Sequence, residues 1–348
     1  MLALAGYPLD IRVRTLDPGE DTPASQVAPA IRAAYDDSGA LMTLATGSDV
    51  LTFEFENVPV QSARTAARYA PLFPPPAALE AAQDRAAEKA LFERVGMDVP
   101  PYALVASLAE LGAALERIGS PAVLKTRRLG YDGKGQTVIR DPDLAAAAWQ
   151  RVGEVPSILE AFVPFDAEVS LVGARGKDGD TSFYPLIENE HRDGILRISR
   201  PAEGVPALQD RAETYARALM QELDYVGVLA IEFFRTGEDL LGNEFAPRVH
   251  NTGHWTIEGA ETSQFEQHLR AVTGLALGSS AVVGYSAMAN LVGRVPSAAA
   301  VAAIPGAHLH LYGKAPRPGR KLGHITAQAD DRPTLAARWL QVTALLDD

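Results

Sequence analysis

Residues 231–251 read IEFFRTGEDLLGNEFAPRVHN. Apolar runs near Val226 to Phe234 and Leu240 to Phe245 flank the polar turn Thr236-Gly237-Glu238-Asp239, the pattern of a β-hairpin. The residue midway between Glu232 and Glu244 lies within half a position of the turn's centre. The two glutamates are therefore expected to face each other across the ladder. Ile231 and Phe233 flank the first, Asn243 and Phe245 the second. Two carboxylates in apolar company repel, and a bound Mg²⁺ removes the conflict because it prefers carboxylate oxygens. A solvent-facing pair that tolerates the repulsion is the alternative. Pro247 ends the second strand, so Arg248, His250 and Asn251 lie in a loop beside the carboxylates. Arg248 and His250 suit an anion there, whereas His254 and Trp255 read as packing.

Upstream, Ala122-Val123-Leu124-Lys125 reads as a strand entering the loop Gly130-Tyr131-Asp132-Gly133-Lys134-Gly135-Gln136. Three glycines free the backbone of this loop to lay N–H groups against phosphate oxygens. No Ser or Thr follows a Gly-Lys pair, so it is not a Walker A loop, and the strand after it excludes a dinucleotide fingerprint. On its own the loop also reads as a flexible hairpin turn, and Lys125 equally as a solvated strand end. Strands follow at Gln136 to Ile139, Ser157 to Glu160, Glu168 to Val172, Phe183 to Glu188 and Ile195 to Ser199. Helices are expected at Leu144 to Val152, Gln209 to Leu223 and Ser263 to Val272. The helix Ala81 to Val95 carries Arg85 and Lys89 on one face. Near the end, Lys314 to His324 forms a basic cluster, either a solvated loop or an anion site.

The chain has 348 residues and a net charge of −12, which argues against a protein that wraps nucleic acid. At 47% hydrophobic and 22% charged it suits a globular core rather than a disordered chain. No apolar run reaches the roughly 20 residues that span a bilayer. The absence of cysteine excludes disulfides, thiolate metal sites and a Cys nucleophile, and fits a cytoplasmic protein. Rigid Phe73-Pro74-Pro75-Pro76 separates a first α/β segment, residues 1–76, from the rest of the chain. That segment opens on a helical turn from Met1 stopped by Gly6 and Pro8. Its expected elements are a strand Ile11 to Thr15, a helix to Ala45, a strand Val50 to Phe55 and a helix Gln61 to Tyr69. Residues 281–348 read as a small mixed segment ending in a helix, Thr334 to Leu346.

Together these stretches resemble one family. GYDGKGQ with Lys125, EVSLVGARG at 168–176, HRDGILR at 191–197, NEFAPRVHNTGHWT at 243–256 and RPGRKLGH at 317–324 look like the 5-(carboxyamino)imidazole ribonucleotide synthases. The resemblance covers nearly the whole chain. It implies an α/β ATP-grasp fold, with a Rossmann-like pre-ATP-grasp domain (1–76) and an ATP-grasp domain (77–280) whose lid spans about 105–165. A small C-terminal domain (281–348) completes it. The implied activity is ATP-dependent carboxylation of 5-aminoimidazole ribonucleotide with bicarbonate, through carboxyphosphate, in purine biosynthesis. Mg²⁺ is the implied metal, with Mn²⁺ as a substitute, and the implied assembly is a homodimer without nucleic-acid or membrane partners. The alternatives are a formate-dependent glycinamide ribonucleotide transformylase, or a nucleotide-binding protein without turnover.

The resemblance also assigns residues. Arg85 and Lys125 contact ATP phosphates, under the loop Gly130, Tyr131, Asp132, Gly133, Lys134, Gly135 and Gln136. Glu160, Ala161, Phe162 and Val163 hold adenine, with Glu160 accepting from its exocyclic amine. Glu168 takes the ribose hydroxyls, and His191 lies near ATP. Glu232 and Glu244 hold the metal, and Asn243 supports them only if a bulge interrupts the alternation of its strand. Tyr131 and Asp132 also face the imidazole nucleotide. Arg248, His250 and Asn251 form the bicarbonate and carbon dioxide pocket, and Lys314, Arg320 and Lys321 bind the substrate's phosphate and carboxylate. Family members carry a further strand and Gly-rich turn ahead of the segment that begins here at Met1, so the first sheet is expected to have a vacant interior position.

Overall fold

The structure is a computed structural model that describes residues 1–130 and 133–347. In the first segment a helix, Leu2–Gly6, precedes two short strands, β1 (Thr15–Asp17) and β2 (Ala30–Arg32), which pair in parallel. The strand expected at Ile11 to Thr15 is displaced: residues 11–14 have no strand partner, and pairing begins when the Thr15 amide donates to Pro29 O at 2.9 Å. The strand expected at Val50 to Phe55 shrinks to a single bridge between Leu51 and Leu72. β-branched and aromatic residues favour a strand, but a partner must run alongside. Here the chain beside Leu51 leads straight into the Phe73–Pro76 linker. Asp37 caps the helix Ser38–Thr46 by accepting from the amides of Gly39 and Ala40.

The helix expected from Ala81 to Val95 is two helices, Pro76–Ala82 and Arg85–Arg94. Asp84 breaks it by capping the second one, accepting from Ala86 N at 3.0 Å. Asp84 also takes Arg127 and Arg128 at 2.7 and 3.0 Å, which ties this helix start to the strand that carries Lys125.

A four-stranded antiparallel sheet follows: β3 (Tyr102–Val105), β4 (Ala122–Thr126), β5 (Gln136–Ile139) and β6 (Ser157–Ala161), in the order β3-β6-β4-β5. Helices Leu108–Ile118 and Ala145–Arg151 cover one face and bury Leu111, Leu124, Trp149 and Leu159.

The central sheet contains β7 (Ala167–Arg175), β8 (Thr181–Phe183), β9 (Ile187–Arg192), β10 (Ile195–Pro201), β11 (Gly227–Thr236), β12 (Asp239–Ala246), β13 (Tyr285–Val292), β14 (Ala307–Leu311) and β15 (Lys321–Ala329). Its order is β12-β11-β7-β9-β10-β13-β15-β14, with β8 beside β7. Pro185 splits the strand expected at Phe183 to Glu188 between β8 and β9. The strands of the tail, residues 281–348, continue this sheet through the β10–β13 pairing. Helix Pro206–Glu222 and the pair Pro76–Ala82 and Arg85–Arg94 bury Leu171, Ile231 and Phe233 on one face. Helices Leu2–Gly6 and Gln264–Thr273 bury Val172, Ala230 and Trp255 on the other. Among the described residues no helix is long and apolar enough to cross a membrane.

Candidate active site

Glu232 and Glu244 face each other in the register of β11 and β12. The ladder pairs one for one from Thr236↔Asp239 to Phe233↔Gly242, and the register then shifts so that Glu244 opposes Glu232. Asn243 is the extra residue. Without this bulge Glu232 would oppose Asn243, and Glu244 would point to the other face. With it, both side chains serve one cleft.

Two cations meet them there. Arg85 Nη1 donates to Glu244 Oε2 at 3.1 Å. Lys125, only 7% exposed, donates to Glu160 Oε2 at 2.8 Å and Asn243 Oδ1 at 3.3 Å. Burial and then the charge of Glu244 push the Glu232 carboxyl up to about 7. Burial acts the same way on Glu244, but Arg85 and Lys125 outweigh it and hold that carboxyl below the usual range. For Glu160, burial is likewise outweighed, by Lys125 and then Lys89, so the carboxyl is held down at about 2. Glu160 Oε1 is buried without a hydrogen-bond partner among the described residues, 3.6 Å from Lys89 Nζ. It is an acceptor facing an unfilled demand.

On the neighbouring strands, His191 Nδ1 lies 2.8 Å from Glu168 Oε2. Burial lowers the His191 pKa, but the bond to Glu168 and the charge of Glu232 outweigh it and raise it. His250 Nε2 is 3.7 Å from Glu232 Oε1, and its Nδ1 accepts from Thr252 N at 3.4 Å. That bond assigns the proton of the neutral ring to Nε2, facing the cleft. Burial and then Arg248 hold His250 well below its ordinary pKa, so it is neutral at pH 7. Asn251 Nδ2 is buried and unpartnered among the described residues, an open donor. Arg248 departs from the expectation of a free anion site. Its Nε and Nη2 both donate to Glu56 Oε2, at 3.0 and 2.7 Å, and Nη1 donates to Val249 O.

Lys321 begins β15, and its charge works to lower the pKa values of His191, Glu232 and His250. Lys314 lies over the Tyr312 ring at 5.4 Å, and its pKa is lowered by burial and by Arg320 and Lys321. Arg320 Nη1 donates to Ala315 O at 3.1 Å. The Gly-rich loop is anchored where Thr126 N donates to Gly135 O at 2.8 Å. Gly133 has φ of +73°, and a Cβ there would lie 3.0 Å from Asp193 O, so the loop rests on the turn between β9 and β10. Tyr131 and Asp132 lie outside the described residues. Phe162 and Val163 follow directly on β6, where Phe162 N donates to Pro121 O at 3.2 Å.

Sequence reasoning missed Glu56, Glu88, Asn189 and Gln264. Gln264 bridges His250 and His254, its Oε1 accepting from His250 N and its Nε2 donating to His250 O. Asn189 Oδ1 accepts from Ser199 and Thr252 while its amide donates to Ser170. Glu88 on its helix, Glu56 in the turn before the helix Val60–Ala66 and the two amides carry no local pattern. Only the fold brings them to the cleft.

Comparison with known proteins places the chain in a family. An ATP-grasp domain family matches residues 90–265, a ribonucleotide synthetase preATP-grasp domain matches 1–83, and a phosphoribosylaminoimidazole carboxylase C-terminal domain matches 286–338. The N5-carboxyaminoimidazole ribonucleotide synthase of Pseudomonas aeruginosa is 52% identical over 347 residues, covering 100% of this chain and 96% of its own. The chain belongs to the N5-carboxyaminoimidazole ribonucleotide synthase family. The synthetase crystal structure from Thermus thermophilus superposes with a TM-score of 0.96 at 52% identity, covering 100% of this chain and 96% of that one. The Aspergillus clavatus synthase, solved with ADP and 5-aminoimidazole ribonucleotide, superposes with a TM-score of 0.92 at 27% identity, covering 100% of this chain and 95% of that one. As a synthase of this family the chain is an ATP-grasp ligase of purine biosynthesis.

Proposed function

We infer that this cleft performs the ATP-dependent carboxylation of 5-aminoimidazole ribonucleotide, with bicarbonate as the carbon source. The observation that carries the reading is the meeting of Arg85 and Lys125 with Glu244, Glu232 and Asn243, next to a neutral His250. A bicarbonate oxygen attacks the γ-phosphorus of ATP, the bond to the bridging oxygen breaks, and ADP leaves. Carboxyphosphate splits into carbon dioxide and phosphate. The exocyclic amine of the substrate attacks the carbon, forms the carbamate and loses a proton.

Each residue serves one of these events. Arg85 and Lys125 offset charge on the transferring phosphoryl group. Glu160 Oε1 accepts from the adenine amine, and Glu168 takes the ribose hydroxyls beside His191. His250 Nε2–H and Asn251 Nδ2 donate to bicarbonate. Arg248, held by Glu56, acts through its charge on the same pocket. Lys321, with Lys314 and Arg320 behind it, binds the substrate's anionic groups. The Gly-rich loop, seated on the β9–β10 turn, keeps water from carboxyphosphate.

Glu232 and Glu244 would hold Mg²⁺ or Mn²⁺. The fit rests on two opposed carboxylates whose mutual repulsion a cation relieves. Among the described residues no group of three or more His, Asp or Glu forms a protein-only cage. The facing pair itself matches Mg²⁺, which typically uses one or two carboxylates plus substrate phosphates. When bound, the metal neutralises charge on the phosphate oxygens. A cytoplasmic homodimer belongs to the same proposal, and size-exclusion chromatography with light scattering checks the dimer. The deciding assay is phosphate release in the presence of 5-aminoimidazole ribonucleotide, with bicarbonate or formate as the varied component. Release that follows bicarbonate supports the reading, and release that follows formate with a glycinamide substrate refutes it.

A further inference from the structure

β12 is the edge strand of the central sheet, so one row of its backbone groups faces away from β11. At an edge such groups need partners other than a strand. Here the helix Arg85–Arg94 and the residues after it supply them. Lys89, with 0% exposure, donates from Nζ to Gly242 O at 3.0 Å and to Asn243 O at 2.8 Å. Glu88 Oε1 accepts from Phe245 N at 2.8 Å, and Asp98 O accepts from Gly242 N at 2.7 Å. The approach is close: a Cβ on Gly242 would lie 2.6 Å from Met97 Sδ and 3.0 Å from Phe92 Cδ2. All of these contacts fall on residues 242–245, the bulge and its two sides.

A one-residue bulge is a choice between registers, and a register slip turns every later side chain to the other face. Lys89 bonds the two successive carbonyls that the bulge turns outward, and Glu88 bonds the amide just past it. We propose that Lys89 and Glu88 are positioning residues that hold the bulge at Asn243 and thereby keep Glu244 opposite Glu232 and Asn243 on Lys125. The proposal rests on the reading of Glu232 and Glu244 as the metal-holding pair. Neither Lys89 nor Glu88 needs to touch substrate: Glu88 acts through β12, and Lys89 acts through β12 and through its charge on Glu160.

The test compares thermal shifts of the full chain with ADP in EDTA and with ADP plus Mg²⁺, alongside steady-state kinetics. In the wild type, Mg²⁺ should add a further rise in melting temperature to that given by ADP alone. Lys89→Met should keep at least half of the ADP shift while losing most of the Mg²⁺ increment. The Mg²⁺ concentration for half-maximal activity should rise at least tenfold, with the KM for 5-aminoimidazole ribonucleotide within about twofold of wild type. Glu88→Ala should show the same pattern more weakly. Glu88→Gln, whose amide oxygen still accepts from Phe245 N, should recover most of the increment lost in Glu88→Ala. If Lys89→Met does not fold, the Glu88 pair decides by the same criteria. A variant with a lower melting temperature but an intact Mg²⁺ increment and unchanged Mg²⁺ dependence overturns the proposal, because the contacts are then structural only. If the wild type shows no Mg²⁺ increment, the metal-pair reading itself falls and the proposal falls with it. That result is visible before any variant is made.

Discussion

Replacing Glu232 by Gln should make the free protein more stable and the enzyme inactive. Glu232 is 16% exposed, and burial with the charge of Glu244 pushes its carboxyl up to about 7 from 4.5. For an acid with a raised folded-state pKa, ionisation is penalised in the folded state. The penalty is small below pH 4.5 and complete above about pH 7. At 1.36 kcal/mol per tenfold change in the proton equilibrium, the charged form costs roughly 3 kcal/mol at most. Gln keeps the shape and removes the charge. With an unfolding entropy of about 2 cal/mol/K per residue, 348 residues give roughly 0.7 kcal/mol/K, so the melting temperature should rise by about 3–5 °C at pH 8. At pH 5 the gain should fall to about 1 °C or less. Scanning calorimetry of both proteins at pH 5 and pH 8, without metal or nucleotide, measures this directly. Equal gains at both pH values would attribute the effect to packing, and a loss at pH 8 would refute the reading of Glu232 as an unrelieved buried charge.

Glu244→Gln should leave the fold intact and reduce turnover by at least 10²-fold, since Arg85 and the metal both lose their carboxylate; near-normal rates at low Mg²⁺ would remove the metal assignment. Lys321→Ala should raise the KM for 5-aminoimidazole ribonucleotide roughly tenfold or more and leave ADP affinity within about twofold by calorimetry; the reverse pattern would move Lys321 to the ATP site. His268, buried with Val228 N on Nδ1 and Thr52 on Nε2, is pushed down to about 4 by burial. Its neutral form contributes stability that is present above pH 6.5 and lost as pH falls towards 4. Urea unfolding should therefore lose up to about 3 kcal/mol over that window, and His268→Gln should flatten the slope.

Elements whose signals are local were legible in the chain. The hairpin around Gly237, the helix Pro206–Glu222, the helix beginning after Ser263 and the strand leading to Lys125 all follow from period and turn chemistry within a few residues. The long motifs carried the family. Where the sequence misled, the missing ingredient was a partner. Val50 to Phe55 has strand composition yet finds only one bridge, and Ile11 to Arg14 finds no partner strand. A helix period through Gln83 cannot reveal that Asp84 is claimed by Arg127 and Arg128, more than 40 residues further along the chain.

The arrangement of the candidate site depends on contacts between distant parts of the chain. Arg85 and Glu244 are 159 residues apart, and Arg248 and Glu56 are 192 apart, so no local pattern links them. The side that Glu244 faces depends on one inserted residue in β12. The family resemblance calls for a bulge near Asn243, but the partners that hold it, Lys89 and Glu88, sit on a helix from another part of the chain. Side-chain period along a strand is a local property, legible in the chain. Register against a neighbour, and the burial that moves a carboxyl from 4.5 to about 7, are sums over groups that meet only when the chain is folded.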